Sequence, residues 1–344
     1  MKINIFRKKY TPGQSKIFQI GLSCNEIPAK KYGGIELVIS LLINGLVDCG
    51  QNVVCASPGK FSIKGSGHIK TLVEPVAGPK DGVHVANTRE HLELAYRGIL
   101  EQYEDGDIIH FHHPEQAIYI GRKLRRKFWP KKVTMVETAH WLNVGLKSNI
   151  IYPSLALKDL LRRKGIVIPH SVDTKTFYPM ENDKKEPYLF YSGRITSDKG
   201  VHLGAEAAEE LGLEYRVAGP ITDKCYSDTF LNKCTYIGEL APDELREQYQ
   251  RALGLVYMTQ YIEPFGLSII EAMACGCPII TTGKGGTGET VVENVTGVFC
   301  ETVADVVSKL EIVQSIKSND CIKQAQEYSV HKMARKYLEY FSHI

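Results

Sequence analysis

The sequence has no apolar run that could cross a membrane and no cysteine pattern of a disulfide framework. A transmembrane helix needs about 20 consecutive apolar residues, and no stretch of this 344-residue chain approaches that length. The first residues, MKINIFRKKY, contain no apolar segment of the kind found in signal peptides. The nine cysteines follow no repeating spacing. We therefore expect a cytoplasmic protein with reduced thiols, several of them buried.

The sequence also has little net charge, and it shows no internal repeat or low-complexity tract. A formal charge of +3 is too small to indicate a nucleic-acid partner. With 43% hydrophobic and 24% charged residues, the composition is that of an ordinary globular protein. A chain of 344 residues is long for one hydrophobic core, so two domains are expected.

Few residues are placed to bind a metal. Cys275 and Cys277 flank one glycine, but no second Cys or His pair has the spacing to complete a site. His110 and His112 would share one face of a predicted strand, with no carboxylate partner assigned. The D-x-D string at 105–107 precedes that strand, where turn chemistry explains it better. No metal ligand is predicted.

The N-terminal half begins with a pattern typical of nucleotide-binding folds. Residues 1–15 look like an extension, which could add an edge strand. Strands are predicted at 16–23 and 51–56, with Gly33 and Gly34 just before a helix at 35–48. Strand, glycine turn, helix and strand in this order form a βαβ unit, in which glycine lets the backbone approach a ligand closely.

His140 follows a predicted strand at 132–138. The carboxyl ends of parallel strands face the crevice in which such sheets bind ligands. A buried, structurally hydrogen-bonded histidine is the alternative interpretation of this residue.

Two cations lie at a strand-to-helix junction in the C-terminal half. A strand at 188–192 is followed by Gly193 and Arg194, and Lys199 stands at the head of a predicted helix. Arginine can bind a diphosphate through two hydrogen bonds, lysine supplies a compact charge, and helix N-terminal amides favour the anion. The alternative is an ordinary surface pair, but glycines beside both cations favour an anion site.

A loop, a helix and a strand follow one another in residues 263–280. Glu263 lies in the loop, and Glu271 lies in the first or second turn of the helix. Carboxylates accept hydrogen bonds from sugar or ribose hydroxyls. The amides at the positive end of the helix would favour a phosphate; they belong to Phe265, Gly266 and Leu267.

The string E-P-F-G-L-x-x-x-E-A-x-A-x-G-x-P at 263–278 resembles the E-x7-E signature of the family 4 glycosyltransferases. Three further strings resemble motifs of that family: P-A-K-K-Y-G-G-I-E at 28–36, T-A-H at 138–140 and G-R-x4-K-G at 193–200. They occur in the expected order over about residues 16–300. At 170–173, H-S-V-D stands where the family usually has N-G-V-D, which puts the local turn in doubt.

The resemblance implies an α/β GT-B fold, with two Rossmann-like domains facing across a cleft and a C-terminal helix crossing back to the first domain. Residues 1–170 with 328–344 would form the acceptor-side domain. Residues 171–327 would bind the nucleotide sugar.

The resemblance also implies a reaction and a role for each site residue. The enzyme would move a hexose from a UDP- or GDP-sugar to an acceptor with retention of configuration, with no metal and no permanently bound cofactor. Arg194 and Lys199 would neutralise the leaving diphosphate, Glu263 would orient the donor, Glu271 would bind the ribose and His140 would hold a sugar hydroxyl. The glycine loop at 33–34 would face the diphosphate. The strand ends at Gly219-Pro220 and Gly238-Glu239 would bracket the base.

Two other functions and several acceptors stay open at this point. A nucleotide-sugar epimerase would need an acid/base set that is not visible, and a non-catalytic sugar-nucleotide-binding protein would not need all four charged residues. The acceptor, whether glycan, lipid-linked or a small molecule, would contact loops at 61–67, 77–87 and 141–148. The basic segment 122–132 is a solvated helix face or a weak peripheral contact with an anionic membrane.

Overall fold

The structure is a computed structural model that describes residues 9–29, 33–76, 87–182 and 184–344. Several sequence predictions lie wholly or partly outside these ranges: the extension at 1–8, Lys30, Lys31 and Tyr32 of the glycine motif, and nearly all of the loop at 77–87. Residues 9–15 are described and contain a turn, so the predicted edge strand is absent from that part.

The described residues contain alternating strands and helices. The strands are Lys16–Ile20 (β1), Asn52–Ser57 (β2), Gly67–Lys70 (β3), Ile108–Phe111 (β4), Thr134–Thr138 (β5), Ile150–Tyr152 (β6), Gly165–Val167 (β7), Tyr188–Ser192 (β8), Glu214–Ala218 (β9), Thr235–Tyr236 (β10), Gly254–Tyr257 (β11), Ile279–Thr281 (β12) and Gly297–Phe299 (β13). The helices are Gly34–Asp48 (α1), Arg89–Gln102 (α2), Pro114–Lys127 (α3), Leu155–Leu161 (α4), Val201–Leu211 (α5), Lys224–Ser227 (α6), Pro242–Arg251 (α7), Leu267–Ala274 (α8), Thr287–Thr290 (α9), Val303–Ser315 (α10), Ser318–Gln326 (α11) and Val330–His343 (α12).

The chain divides into two compact units. The first comprises Met1–Pro153, Lys158–Pro169 and Val330–Ile344, and the second comprises Ser154–Leu157 and His170–Ser329. These boundaries differ from the predicted ones at 170/171 and 327/328, and the short segment 154–157 was not expected in the second unit.

The first unit is built on a parallel sheet with the strand order β3-β2-β1-β4-β5-β6-β7. Its central strands β1 and β4 are nearly continuous apolar runs, as expected for strands covered by helices on both faces. The direction of the strand order reverses between β1 and β4. Such a switch point opens a crevice at the carboxyl ends of the strands.

The last helix of the chain belongs to this first unit. Its buried face, which includes Met333, Tyr337 and Phe341, packs in the same core as α1. Gly45 of α1 allows the close approach, because a Cβ there would lie 2.9 Å from the Cβ of Ala334. The Tyr337 hydroxyl also lies 2.8 Å from Oγ1 of Thr138, at the end of β5.

The second unit is also built on a parallel sheet, with the strand order β10-β9-β8-β11-β12-β13. Here the order reverses between β8 and β11. The loops after these two strands therefore flank the switch point. They hold Gly193, Arg194, Lys199 and Glu263. The fold-class prediction of two Rossmann-like α/β domains is confirmed.

Candidate functional site

The loops after β8 and β9 contact each other through backbone atoms. Gly193 has φ 147° and Gly219 has φ 129°, conformations that only glycine adopts readily. A Cβ on Gly219 would lie 1.9 Å from the carbonyl oxygen of Gly193. The two predicted glycines thus fix the shape of the loop that presents Arg194.

Lys199 ends a 3-10 turn, Ser197–Lys199, just before α5, and only 6% of the residue is exposed. Its ammonium group donates to Oε2 of Glu263 at 2.5 Å, to the Tyr257 hydroxyl at 3.0 Å and to the Tyr261 hydroxyl at 2.8 Å. Since an ammonium group has three N–H donors, each of them has a partner here. Lys199 is therefore part of a buried ion pair and is not an exposed cation.

Glu263 is the centre of this cluster. Its Oε2 also accepts hydrogen bonds from Tyr257 at 3.0 Å and from Tyr261 at 2.8 Å. Burial raises the pKa of both tyrosines, and the negative charge of Glu263 raises it further by a smaller amount. Both hydroxyls therefore stay protonated and can donate. Arg194 is half-buried and acts on the same group, because its charge lowers the pKa of Tyr261 against these larger effects.

The sequence did not predict the two tyrosines. Tyr257 ends the buried strand β11 and Tyr261 lies two residues before Glu263. Their proximity to a predicted site residue was the only available signal, and it does not distinguish a hydrogen-bond donor from a core aromatic.

Glu271 lies in the second turn of α8, 7% exposed, with its carboxyl group buried. Tyr249 donates to its Oε2 at 3.1 Å, and the Tyr249 hydroxyl lies 2.6 Å from Oγ of Ser192. Burial raises the pKa of Glu271 to about 7, although the hydrogen bond from Tyr249 opposes this shift. The carboxyl group can therefore be protonated near neutral pH. Neither Tyr249 nor Ser192 was predicted as its partner.

The start of α8 is a glycine turn. Gly266 has φ 89° at the helix N-cap, between Phe265, which is buried, and Leu267. The glycine-rich loop at 283–288 packs against the residues that precede this turn. The amide of Gly286 donates to the carbonyl oxygen of Glu263 at 2.8 Å, and a Cβ on Gly285 would lie 2.3 Å from the same oxygen. These contacts fix the backbone position of Glu263.

In the first unit, His140 follows β5 and contacts a second histidine. Its Nε2 lies 3.0 Å from Nδ1 of His112, and Nε2 of His112 lies 2.8 Å from Oε1 of Gln19. His112 and Gln19 are fully buried. They orient the imidazole of His140, a role that the sequence did not predict for either.

Gly33 and Gly34 lie at the start of α1, with Gly33 in extended backbone at φ 170°. A Cβ on Gly33 would lie 2.7 Å from the Cβ of Ala29. Glu36, in the first turn, is buried, and burial raises its pKa; Sγ of Cys24 lies 3.6 Å from its Oε1. The glycines are where the motif predicts them.

The histidines of the β4 region have separate roles. Nε2 of His110 lies 2.8 Å from Oγ1 of Thr138, and Nδ1 of His113 accepts from the amide of Glu115 at the start of α3. Asp107 accepts from the amides of Lys16 and Glu104, which is the turn chemistry expected for the D-x-D string. Among the described residues, no group of three or more His, Cys, Asp or Glu side chains is placed to hold a metal.

Comparison with known families gives a match on the second unit. Residues 173–329 match the family described as glycosyl transferases group 1. They include Arg194, Lys199, Glu263 and Glu271, the four charged residues of the candidate site. The match does not extend to the first unit.

Curated relatives are similar over parts of the chain. Glycogen synthase of Mycobacterium tuberculosis is 33% identical over 147 residues, 40% of this chain and 35% of that protein. The probable sucrose-phosphate synthase of Thermosipho melanesiensis is 29% identical over 205 residues, 54% of this chain and 46% of that protein. The chain thus spans about a third to a half of the length of these relatives.

Solved structures are similar over nearly the whole chain. Sucrose-phosphate synthase from Thermosynechococcus elongatus has a TM-score of 0.74 at 18% identity, covering 96% of this chain and 99% of that one. AviGT4, a glycosyltransferase of avilamycin A biosynthesis, has a TM-score of 0.71 at 19% identity, covering 95% and 97%. Anabaena Alr3699/HepE with UDP and glucose has a TM-score of 0.71 at 15% identity, covering 96% and 100%. At these identities the likeness shows the fold, which is that of GT-B glycosyltransferases.

Proposed function

We propose that this chain is a retaining glycosyltransferase of family 4 that moves a hexose from a nucleoside-diphosphate sugar to an acceptor. The observation that carries the proposal is the buried group of Lys199, Glu263 and two tyrosines beside Arg194, at the switch point of a domain that matches the group 1 family. A crevice at the carboxyl ends of parallel strands is where such sheets bind nucleotides.

Arg194 and Lys199 are proposed to bind the donor diphosphate. Glu263 neutralises Lys199, so Arg194 and the amides at the start of α8 are proposed to add positive potential for the diphosphate. A diphosphate that accepts from Lys199 must replace one of its present acceptors. As charge grows on the leaving phosphate, the ammonium would shift its hydrogen bonds toward the phosphate, which stabilises the transition state. Glu263 would orient Lys199 and the donor sugar.

Glu271 is proposed to bind the ribose. Its carboxyl group already accepts from Tyr249, and it has further lone pairs for a hydroxyl donor. His140 is proposed to hold a sugar hydroxyl, and Gly33 and Gly34 to allow close approach of the diphosphate. The strand ends at Gly219-Pro220 and Gly238-Glu239 would bracket the base.

The donor is proposed to be a UDP- or GDP-sugar, with no resident cofactor or metal. The complexes of Anabaena Alr3699/HepE with UDP and with UDP-glucose support a UDP-sugar as the donor. A cytoplasmic location is proposed, and none of the helices in the described ranges combines the length and apolar character needed to cross a bilayer. The basic segment 122–132, which includes the exposed Trp129, is proposed as a weak contact with an anionic membrane surface.

The deciding experiment is incubation of the purified protein with UDP-glucose and GDP-mannose, followed by product analysis. Sugar transfer or slow donor hydrolysis supports the proposal. Inversion at C2 of the sugar would indicate an epimerase, and binding without turnover a non-catalytic protein.

Variants connect the reaction to the site. Lys199→Met should lower turnover by about a hundredfold, the effect of removing one electrostatic contact to the transition state. Lys317, exposed at the start of α11, offers the control Lys317→Met, which should keep the normal rate. Since Lys199→Met leaves Glu263 buried without its partner, Lys199→Met/Glu263→Gln is measured as well. Normal turnover in the folded double variant would contradict the assignment.

A further inference from the structure

The first unit contains a cavity of about 320 Å³ between α3 and the loop 145–148. The helix contributes Arg122 and Arg125 with two apolar residues of the preceding turn, and the loop contributes Gly145, Lys147 and Ser148. Among the residues that the structure describes, no acidic one lines this cavity. We refer to it as the basic pocket.

The cations of the basic pocket have no acidic partner in the part of the chain that the structure describes. Within the described ranges, the side chains of Arg122, Arg125 and Lys147 make no hydrogen bond or ion pair. By contrast, Lys123 on the same helix pairs with Glu93 and lies over the ring of Tyr96. Three like charges around one concavity repel one another unless an anion joins them.

The wall that carries Lys147 and Ser148 is held in place by buried contacts. The carboxylate of Glu137, in β5, accepts from the amide of Gly145 at 2.9 Å and from that of Leu146 at 2.6 Å. Gly145 leaves no room for a side chain, since a Cβ would lie 2.4 Å from the carbonyl oxygen of Pro114 in α3. The loop therefore has a fixed position against the helix, which makes the pocket a preformed feature.

We propose that the basic pocket binds a phosphate group. Two guanidinium groups can each form paired hydrogen bonds with phosphate oxygens, and the ammonium of Lys147 adds a compact charge. The hydroxyl of Ser148 supplies a further donor. The volume leaves space for a small organic group attached to the phosphate. A soluble phosphate ester and a phospholipid headgroup share this chemistry. The proposal is independent of the donor reaction, because every residue of the pocket lies in the first unit.

The test is isothermal titration calorimetry with inorganic phosphate on the whole chain. It is done in the Arg194→Ala background, so that phosphate at the proposed donor site does not contribute. Arg122→Ser and Lys147→Ser should each weaken binding at least tenfold, about the effect of one lost charged hydrogen bond. The matched control is Arg335→Ser, an exposed arginine of α12 in the first unit and outside the pocket, which should leave the affinity unchanged. No phosphate binding, or an equal loss in the control, would overturn the proposal.

A second measurement distinguishes the source of the phosphate. Cosedimentation with phosphatidylcholine vesicles, with and without phosphatidylglycerol, is compared for the same variants. Loss of vesicle binding in the pocket variants but not in Arg335→Ser supports a lipid headgroup. Phosphate binding in calorimetry without vesicle binding supports a soluble phosphate ester.

Discussion

Glu271 combines a buried carboxyl group with a hydrogen bond from Tyr249, and burial raises its pKa from the ordinary 4.5 to about 7. The folded protein therefore holds this proton more tightly than the unfolded chain. Between these two pKa values the folded state binds more protons, so the free energy of unfolding falls as the pH rises. The shift corresponds to about 3 kcal/mol as an upper bound.

This pH dependence should disappear in Glu271→Gln, which is neutral at every pH. Urea unfolding at pH 5 and pH 8 measures the difference between the variant and the wild type. We expect the variant to gain stability relative to the wild type by about 2–3 kcal/mol between these two values. Glu311→Gln on α10, where the side chain is exposed, is the control and should follow the wild type. If the free energy of unfolding changed equally with pH in Glu271→Gln and in the wild type, the raised pKa of Glu271 would be refuted.

The ion pair of Lys199 and Glu263 should make each single substitution more costly than the double one. Lys199→Met or Glu263→Gln alone removes one partner of a buried pair, which typically costs about 3–5 kcal/mol when a charge is left uncompensated. The loss should be smaller for Glu263→Gln, because glutamine can still accept from the two tyrosines. In Lys199→Met/Glu263→Gln neither charge remains, so part of the lost stability returns. Urea denaturation of the three variants gives the coupling free energy between Lys199 and Glu263. Purely additive losses of stability would mean that the two residues are not coupled.

At the scale of single residues, the sequence predicted the positions of the charged residues but not their hydrogen-bond partners. Glu263 and Glu271 were found through a motif, because spacing along the chain is directly readable. Their tyrosine partners come from β11, from the loop that follows it and from α7, and which hydroxyl reaches which carboxylate depends on how the strands and helices pack. Spacing contains no such information. The orientation of His140 by His112 depends in the same way on the pairing of separate strands.

At the scale of helices, strands and loops, the close backbone contact between the loops after β8 and β9 can be tested by substitution. In Gly219→Ala the new methyl group would lie within 2 Å of the Gly193 carbonyl oxygen, and φ at this position is 129°. We expect a loss of about 3 kcal/mol or more. The matched control is Gly212→Ala at the end of α5, where φ is 63° and the added methyl group would have no atom within 4 Å. It should cost only about 1 kcal/mol, the strain of a left-handed alanine.

Thermal or urea unfolding of the two variants measures the difference. Equal destabilisation would show that the loops can separate without cost. A larger loss in Gly219→Ala, accompanied by weaker nucleotide binding, would connect the loop contact with the proposed donor site.

Elements with a strong pattern were predicted and weaker ones were missed. The strands β8 and β11 are continuous buried runs, and α8 has apolar residues at helical spacing. The strands β6 and β7 have three residues each, too few for a period to be recognised. The strand β3 begins inside a predicted loop, and one buried isoleucine, Ile69, supports it. The helix α7 was not predicted, although its sequence is typical of a helix start: Pro242 stands at the first position, and Glu244 accepts from the amide of Ala241.

At the scale of the whole molecule, the order of motifs along the chain predicted two repeats of one fold. Each sheet has its switch point between its first and fourth strand in chain order, so the residues after those strands lie beside it. The unit boundaries could not be read to the residue, because segment 154–157 belongs to the second unit through contacts distant in sequence. The amides of Leu155 and Ala156 donate to the carboxylate of Glu289.

The helix α12 makes the first unit depend on the end of the chain. Its side chains Tyr337 and Phe341 are fully buried in the core that contains α1, while Lys336 is exposed. Phe341→Ala should therefore cost about 3–5 kcal/mol, the usual loss for a buried phenylalanine. Lys336→Ala should stay within about 0.5 kcal/mol of the wild type.

Hydrogen exchange can show which unit is affected. In Phe341→Ala the amides of α1 and β5 should exchange faster, because they belong to the unit in which α12 packs. The amides of α8, in the part that matches the glycosyl transferases group 1 family, should keep their protection. Equal acceleration in both units would mean that the chain unfolds as one cooperative body, and the two cores would then not be independent. Faster exchange confined to the first unit would show that the end of the chain stabilises the unit in which the chain begins.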